Sequence, residues 1–285
     1  MIFTTRFAPS PTGPLHLGHA YSALLAHDLA RAAQGRFLLR IEDIDRARAR
    51  PEWEAQIYDD LAWLGLRWEQ PVMRQSDRQS VYDRALDELW ARGLLYACGC
   101  TRADIAAAAN APQEGVPEPN GPDGPVYLGT CRPVRPATGP RPRNTALRLD
   151  MARATAGITG PFHFTESGNN APQHIEFKPD YLEDSVGDIV LARRDMGTSY
   201  HLSVVLDDAA QAVSHVVRGQ DLFEATRIHV LLQTLLDLPH PIYHHHRLIR
   251  DAAGKRLAKR DDARALQLYR REGASPADIR AMVGL

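Results

Sequence analysis

Thr4 to Ala8 reads as a short strand, Pro9-Ser10-Pro11-Thr12-Gly13-Pro14 breaks it, and His16-Leu17-Gly18-His19 opens a helix. The helix is marked by Ala20, Leu24, Leu25 and Leu29, which recur at helical spacing up to Gln34. A helix that starts within a few residues of a strand's end must fold back onto that strand's sheet. The order therefore asks for an α/β layer with a parallel sheet. It also places free N–H groups and the positive end of a helix at a strand tip, a natural seat for phosphate. Two histidines three apart on the first turn reach one face, and Gly18 between them removes a Cβ that would keep a nucleotide away.

The same alternation continues. Arg36 to Glu42 is a buried-type strand ending in the acidic turn Glu42-Asp43-Ile44-Asp45, and helices are predicted at about 51–64 and 76–92. Residues 106–145 are rich in Ala, Pro and Gly without a period, which predicts a long loop. Short strands follow at Thr145 to Asp150, Gln173 to Phe177 and Asp188 to Arg193. The α/β alternation resumes with strand-like runs at Leu202 to Leu206 and Val213 to Val217, a helix at about 221–236, and Ile242 to Ile249. Two short helices are expected in 262–283. The expected division is a catalytic sheet domain in two halves, 1–95 and 185–250, split by an α+β insertion of about 96–184. Residues 251–285 follow as a basic loop and helical tail.

Composition narrows the function. The net charge of −1 and pI near 6.9 give no bulk basic field, so any RNA contact must be a local patch. Of the 34 basic residues only Lys178, Lys255 and Lys259 are lysines, and two of these share one short loop. Lysine is a mobile point charge suited to a phosphate, whereas arginine is a rigid planar fork. No run approaches the roughly 20 apolar residues that span a bilayer, and the N-terminus does not read as a signal peptide. Three cysteines, an odd number, argue against a disulfide framework and for the cytoplasm. Cys98, Cys100 and Cys131 offer three soft ligands suited to a tetrahedral zinc ion, with water, a histidine or Tyr127 as the fourth. His244-His245-His246 is read as part of a strand beside the nucleotide site and not as a metal tract. Asp207-Asp208 and Glu42-Asp43 are read as strand ends and substrate contacts.

The run Arg6 to Gly13 through His19 resembles the opening of the class I glutamyl- and glutaminyl-tRNA synthetases. Leu39 to Asp45 resembles their second signature, Val204 to Asp208 and Val217 to Leu222 the next stretch, and Gly254 to Arg260 their KMSKS-type loop. The resemblance implies a Rossmann-type catalytic fold and in-line attack of a glutamate carboxylate on the α-phosphorus of ATP. Such a step is catalysed by positioning and charge stabilisation. By that resemblance His16, His19 and Lys259 are catalytic, and Gly18 and Lys255 join them in binding ATP, with Mg2+ carried on its phosphates. Arg6, Ser10, Glu42, Tyr200 and Arg218 line the glutamate pocket. The loop departs from the family's Lys-Leu-Ser-Lys-Arg, reading Arg256-Leu257-Ala258-Lys259-Arg260 here.

The chain runs 25 residues beyond that loop, so an anticodon-binding domain is not expected. This suits the glutamyl-queuosine tRNA(Asp) synthetases, which resemble a bare catalytic core and hold zinc through a Cys-x-Cys, Tyr, Cys set, here Cys98, Cys100, Tyr127 and Cys131. That family forms glutamyl-adenylate without tRNA and passes glutamate to queuosine in the anticodon stem-loop of tRNA(Asp). Arg250, Arg264, Arg270 and Arg271 are candidates for its phosphates. A monomer is expected. The rival expectations are a truncated glutamyl enzyme acting on an acceptor end and a non-catalytic paralogue that binds glutamate or RNA.

Overall fold

The computed structural model describes residues 2–101, 103–105, 120–122, 124–127, 129–168, 172–250 and 264–285. The strand β1 (Thr4–Phe7) lies parallel to β2 (Arg36–Ile41), and β2 to β3 (Glu69–Arg74). In a separate sheet β4 (Leu95–Cys98) pairs antiparallel with β5 (Ala146–Leu149), whose other edge pairs with residues 190–192. The hairpin β6 (Phe162–Glu166) and β7 (Gln173–Phe177) precedes β8 (Val190–Ala192) in the chain. Next come β9 (His215–Gly219) and β10 (Ile242–His246), parallel to each other, and β10 is parallel to β6 through Tyr243 and Glu166. Ser214 stitches β9 to β1: its N–H donates to the Thr4 carbonyl at 3.0 Å and its Oγ accepts from the Thr4 N–H at 2.8 Å. The strand order across the molecule is thus β3-β2-β1-β9-β10-β6-β7.

Helices cover the middle of this sheet, and its central strands β1 and β2 are buried on both faces. β2 reads RFLLRI and only its first residue escapes full burial. α1 (Leu17–Ala32), α2 (Pro51–Trp63) and the tail helices α6 (Leu266–Arg271) and α7 (Pro276–Val283) share one core with β1 and β2. α7 is clamped to α1 by Arg280, whose two terminal nitrogens donate to Asp28 at 2.7 and 2.9 Å. α3 (Gln79–Ala91), α4 (Tyr200–Ala210) and α5 (Thr226–Leu235) enclose a second core with β4, β5 and β8. Among the described residues no helix is long and apolar enough to cross a membrane.

Two sequence expectations are corrected. Leu202 to Leu206 is not a strand but the middle of α4, which is capped by Ser199, whose Oγ accepts from the Leu202 N–H. The helix is buried on several sides, with His201, Leu202, Ser203, Val204 and Val205 all covered, so its apolar run carries no helical period. Asp207 and Asp208 therefore sit inside a helix, not at a strand end. β3, β4 and β6 also lie where no strand was predicted. β3 holds Pro71 and is largely exposed, the pattern of an edge strand. The other spans shift by a few residues at their ends, as the expected 221–236 helix does in starting at Thr226.

Candidate active site

The order of the sheet reverses between β1 and β9, and ligands of open α/β sheets bind outside the carboxyl ends of strands at such a point. The chain collects its chemistry there. After β1 the proline turn is closed by the Thr12 N–H on the Ser10 carbonyl at 2.9 Å. The end of β2 is tied to the same turn, because the Glu42 N–H donates to the Pro9 carbonyl at 3.0 Å. Ser10 Oγ lies 3.4 Å from Thr12 Oγ1.

His16 caps α1 in extended backbone. Its Nδ1 accepts from the Gly18 N–H at 3.1 Å, and its own N–H donates to His19 Nδ1 at 3.2 Å. The two rings are tilted by 33° with centroids 3.8 Å apart. Gly18 suits this fold-back, since a Cβ there would press on His16 Cε1 at 3.0 Å. Ala265 returns to bridge with His16, and the Leu266 N–H donates to the Leu15 carbonyl at 2.8 Å. Chain leaving the expected basic loop thus begins its tail against the histidine pair. Lys255 and Lys259 themselves lie outside the described residues.

Arg6 of β1 and Arg40 of β2 converge on Asp208 of α4. Arg6 binds it in two bonds, 2.9 Å from Nε and 3.2 Å from NH2, and Arg40 NH1 adds a third at 2.7 Å. Arg40 also donates to Glu42 at 3.1 Å and to Gln211 at 2.9 Å. Burial works against ionising Asp208, but Arg6 and Arg40 outweigh it and hold the carboxyl below its usual range. Glu42 goes the other way, because burial raises it more than Arg40 and Arg6 lower it.

Arg218 of β9 is buried with neutral partners. Nε donates to His245 at 3.1 Å, NH1 to His229 at 3.0 Å, and NH2 to Thr226 at 2.7 Å and the Leu222 carbonyl at 3.3 Å. Tyr200 stands edge-on to His229 with ring centroids 5.7 Å apart. Burial raises the Tyr200 hydroxyl, and Arg218, Glu42, Arg6 and Asp208 all act on it. Of the expected glutamate-pocket residues, Arg6, Glu42, Tyr200 and Arg218 therefore share one electrostatic site. Sequence reading missed Asp208 as its hub, and missed His229, His245 and Glu166 behind Arg218. The triplet His244 to His246 was the available signal: it lies on β10, and each ring has its own partner, Ser167, Glu166 and Ser22.

A second constellation lies beyond the end of β4. The sulfurs of Cys98, Cys100 and Cys131 fall within 4.8 Å of one another, and Tyr127 Oη is 3.5 Å from Cys98 and 3.3 Å from Cys100. Sulfurs on one tetrahedral zinc ion stand about 3.8 Å apart, so the spacing of this set is compatible with that ion. The Cys131 N–H donates to the Tyr127 oxygen at 2.8 Å, and the Arg148 guanidinium stacks on the Tyr127 ring at 3.8 Å while Nε donates to Cys98 at 3.3 Å. Hydrogen bonds from Tyr127 and the Gly99 backbone bring the Cys131 thiol down to about 7.

Comparison with known proteins agrees with this geometry. The family described as tRNA synthetases class I (E and Q), catalytic domain, matches residues 3–285. A glutamyl-Q tRNA(Asp) synthetase of Rhodobacter capsulatus is 66% identical over 282 residues, covering 99% of both chains. One from Nocardia farcinica is 42% identical, over 98% of this chain and 82% of its own. Among solved structures, a glutamate tRNA ligase from Elizabethkingia meningosepticum in complex with its amino acid superposes with a TM-score of 0.75 at 26% identity. That match covers 99% of this chain, which spans 60% of the ligase. The chain belongs to the family of class I tRNA synthetase catalytic domains for glutamate and glutamine.

Proposed function

We propose that this enzyme joins glutamate to ATP without tRNA, forming glutamyl-adenylate and pyrophosphate, and then transfers glutamate to queuosine in the anticodon stem-loop of tRNA(Asp), releasing AMP. The observation that carries the activation step is the cation arrangement at the β1–β9 switch point. Arg6 is neutralised by Asp208, whereas Arg218 is buried among histidines, a threonine and a carbonyl, leaving a positive charge for a carboxylate to meet. Arg6, Ser10, Tyr200 and Arg218 hold glutamate in this reading, with Glu42 towards its ammonium. The amino acid's carboxylate oxygen attacks the α-phosphorus and pyrophosphate leaves. His16, Gly18 and His19 at the start of α1, with Lys255 and Lys259, hold the phosphates and their Mg2+.

The acceptor is argued from the relatives. The 66% identical Rhodobacter protein is matched along nearly its whole length, and its name specifies glutamyl-Q tRNA(Asp). Cys98, Cys100, Tyr127 and Cys131 hold a structural zinc ion in this reading. The proposed division is 1–95 and 185–250 for the catalytic halves, 96–184 for the insertion and 251–285 for the loop and tail. The hairpin β6–β7 reaches out of the insertion into the catalytic sheet.

ATP–pyrophosphate exchange with glutamate tests the activation step. Exchange that needs glutamate, proceeds without tRNA and collapses in Lys259→Ala supports the proposal. No exchange by folded, zinc-supplied protein points to a non-catalytic paralogue, and exchange only with tRNA(Glu) points to an ordinary glutamyl enzyme.

A further inference from the structure

Arg218 is held by a buried chain of groups whose hydrogen-bond roles can be assigned one by one. Arginine only donates, so His245 Nε2 and His229 Nδ1 must both be bare acceptors. A bare Nε2 puts the His245 proton on Nδ1, and that atom faces the Glu166 carboxylate in a short hydrogen bond. Glu166 can only accept in return: its other oxygen already receives the N–H groups of His245 at 3.0 Å and Gly168 at 2.7 Å. Likewise a bare Nδ1 puts the His229 proton on Nε2, which lies 3.1 Å from Nδ1 of His201. The His245 tautomer is thus dictated from both ends, by Arg218 and by Glu166.

The surroundings leave the chain little freedom. Glu166 is 2% exposed and His245 is 3% exposed. The Tyr243 ring is nearly parallel to that of His245, at 4°, and its hydroxyl is held by Gln233. Gly168 passes so close that a Cβ there would meet the His245 carbonyl at 2.2 Å and Glu166 Oε1 at 2.7 Å. Of the five N–H groups of Arg218, four are bound by the partners already given. One on NH1 has no acceptor among the described residues.

We infer that Glu166 and His245 are positioning residues for glutamate selection, fixing the fork of Arg218 so that one NH1 hydrogen and an uncancelled charge face the substrate carboxylate. The inference rests on the reading of Arg218 as the glutamate receptor. Its logic is a matter of distance. A carboxylate in direct contact with Arg218 would cancel the charge that the substrate must see, as Asp208 does for Arg6. Placed one imidazole away, Glu166 orients the guanidinium through a neutral ring and leaves its charge for the substrate. Burial lowers the His245 ring further than its hydrogen bond to Glu166 raises it, which keeps that ring neutral. Glutamine, uncharged at the same position, gains less from such a cation than glutamate does.

Glu166→Gln changes almost no volume but reverses the chain. The new amide donates to His245 Nδ1, moves the ring proton to Nε2 and sets two donors against each other at Arg218. In the exchange assay the KM for glutamate is expected to rise about tenfold to a hundredfold, with the KM for ATP held within about twofold. His245→Gln, which can offer an oxygen to Arg218, is expected to lie closer to the parent than His245→Leu. Arg218→Lys must also raise the glutamate KM. If it does not, the receptor reading falls and takes the inference with it. If it does, while Glu166→Gln leaves the glutamate KM unchanged, the positioning role alone is overturned. Nitrogen-15 NMR of the unsubstituted protein decides the matter even if Glu166→Gln fails to fold. The account requires His245 protonated on Nδ1 and bare on Nε2, and the opposite tautomer overturns it.

Discussion

The imidazole of His16 lies over Gly18, accepting its N–H at 3.1 Å, and the site at the start of α1 is built around that contact. A methyl group at position 18 would sit 3.0 Å from His16 Cε1 and 3.1 Å from Nδ1, so the ring must give by a few tenths of an ångström. Gly18→Ala is expected to cut adenylate formation by about tenfold to a hundredfold through displacement of His16. Alanine suits a helix better than glycine, so stability should change by less than about 1 kcal/mol. Exchange kinetics and a denaturant titration check the two halves of this expectation.

Asp208 joins the expected substrate residues to the fold, because one carboxylate serves both Arg6 and Arg40. Asp208→Asn leaves two buried guanidinium groups facing an uncharged amide. Breaking buried pairs in this way costs about 3–5 kcal/mol. A urea titration should show that loss, and any protein that remains folded should need more glutamate to reach half-maximal exchange.

The thiol cluster gives a stoichiometric test. Purified protein should carry one zinc ion per chain by elemental analysis, lost in Cys100→Ser and Cys131→Ser. Removal by a chelator should release β4, β5 and their neighbours from their packing, seen as a lower melting temperature that added zinc restores.

Acid should weaken the fold earlier than carboxylates alone would cause. Burial lowers the rings of His215, His229, His240, His244, His245 and His246 below the ordinary histidine value. The unfolded chain takes up protons on these rings near pH 6.5 and the native protein does not. Their stabilisation is complete above that pH and is lost as pH falls towards the lowered native values. The raised carboxyls of Asp60, pushed up to about 6 by burial and the neighbouring Asp59, and of Glu42 act in the opposite sense. Two such groups do not outweigh six. The melting temperature should therefore drop between pH 7.5 and 6, with net proton uptake on unfolding by calorimetry in buffers of different ionisation heat.

Much of the frame was legible because it is written in local patterns. The Pro9 to Pro14 break, the period of α1 and the buried run of β2 each identify an element without reference to the rest of the chain. α4 was misread because tertiary burial on several faces erased its period. β6 was missed because its place beside β10 depends on a partner some 80 residues away. The individual site residues were visible as types, and Arg6 and Arg218 looked alike in sequence. Only the folded chain distinguishes them, one against a carboxylate and the other against imidazoles. Long-range partners such as Asp208 and Glu166 leave no mark within a window of neighbouring residues.

The account is tested most directly by following labelled glutamate onto RNA. The enzyme, ATP and radiolabelled glutamate would be offered queuosine-containing tRNA(Asp) whose 3′-terminal adenosine has been removed, the same tRNA lacking queuosine, and intact tRNA(Glu). The account predicts label on the trimmed, queuosine-containing tRNA(Asp) and on neither of the others. Label on tRNA(Glu), or only where a tRNA keeps its acceptor end, would contradict it.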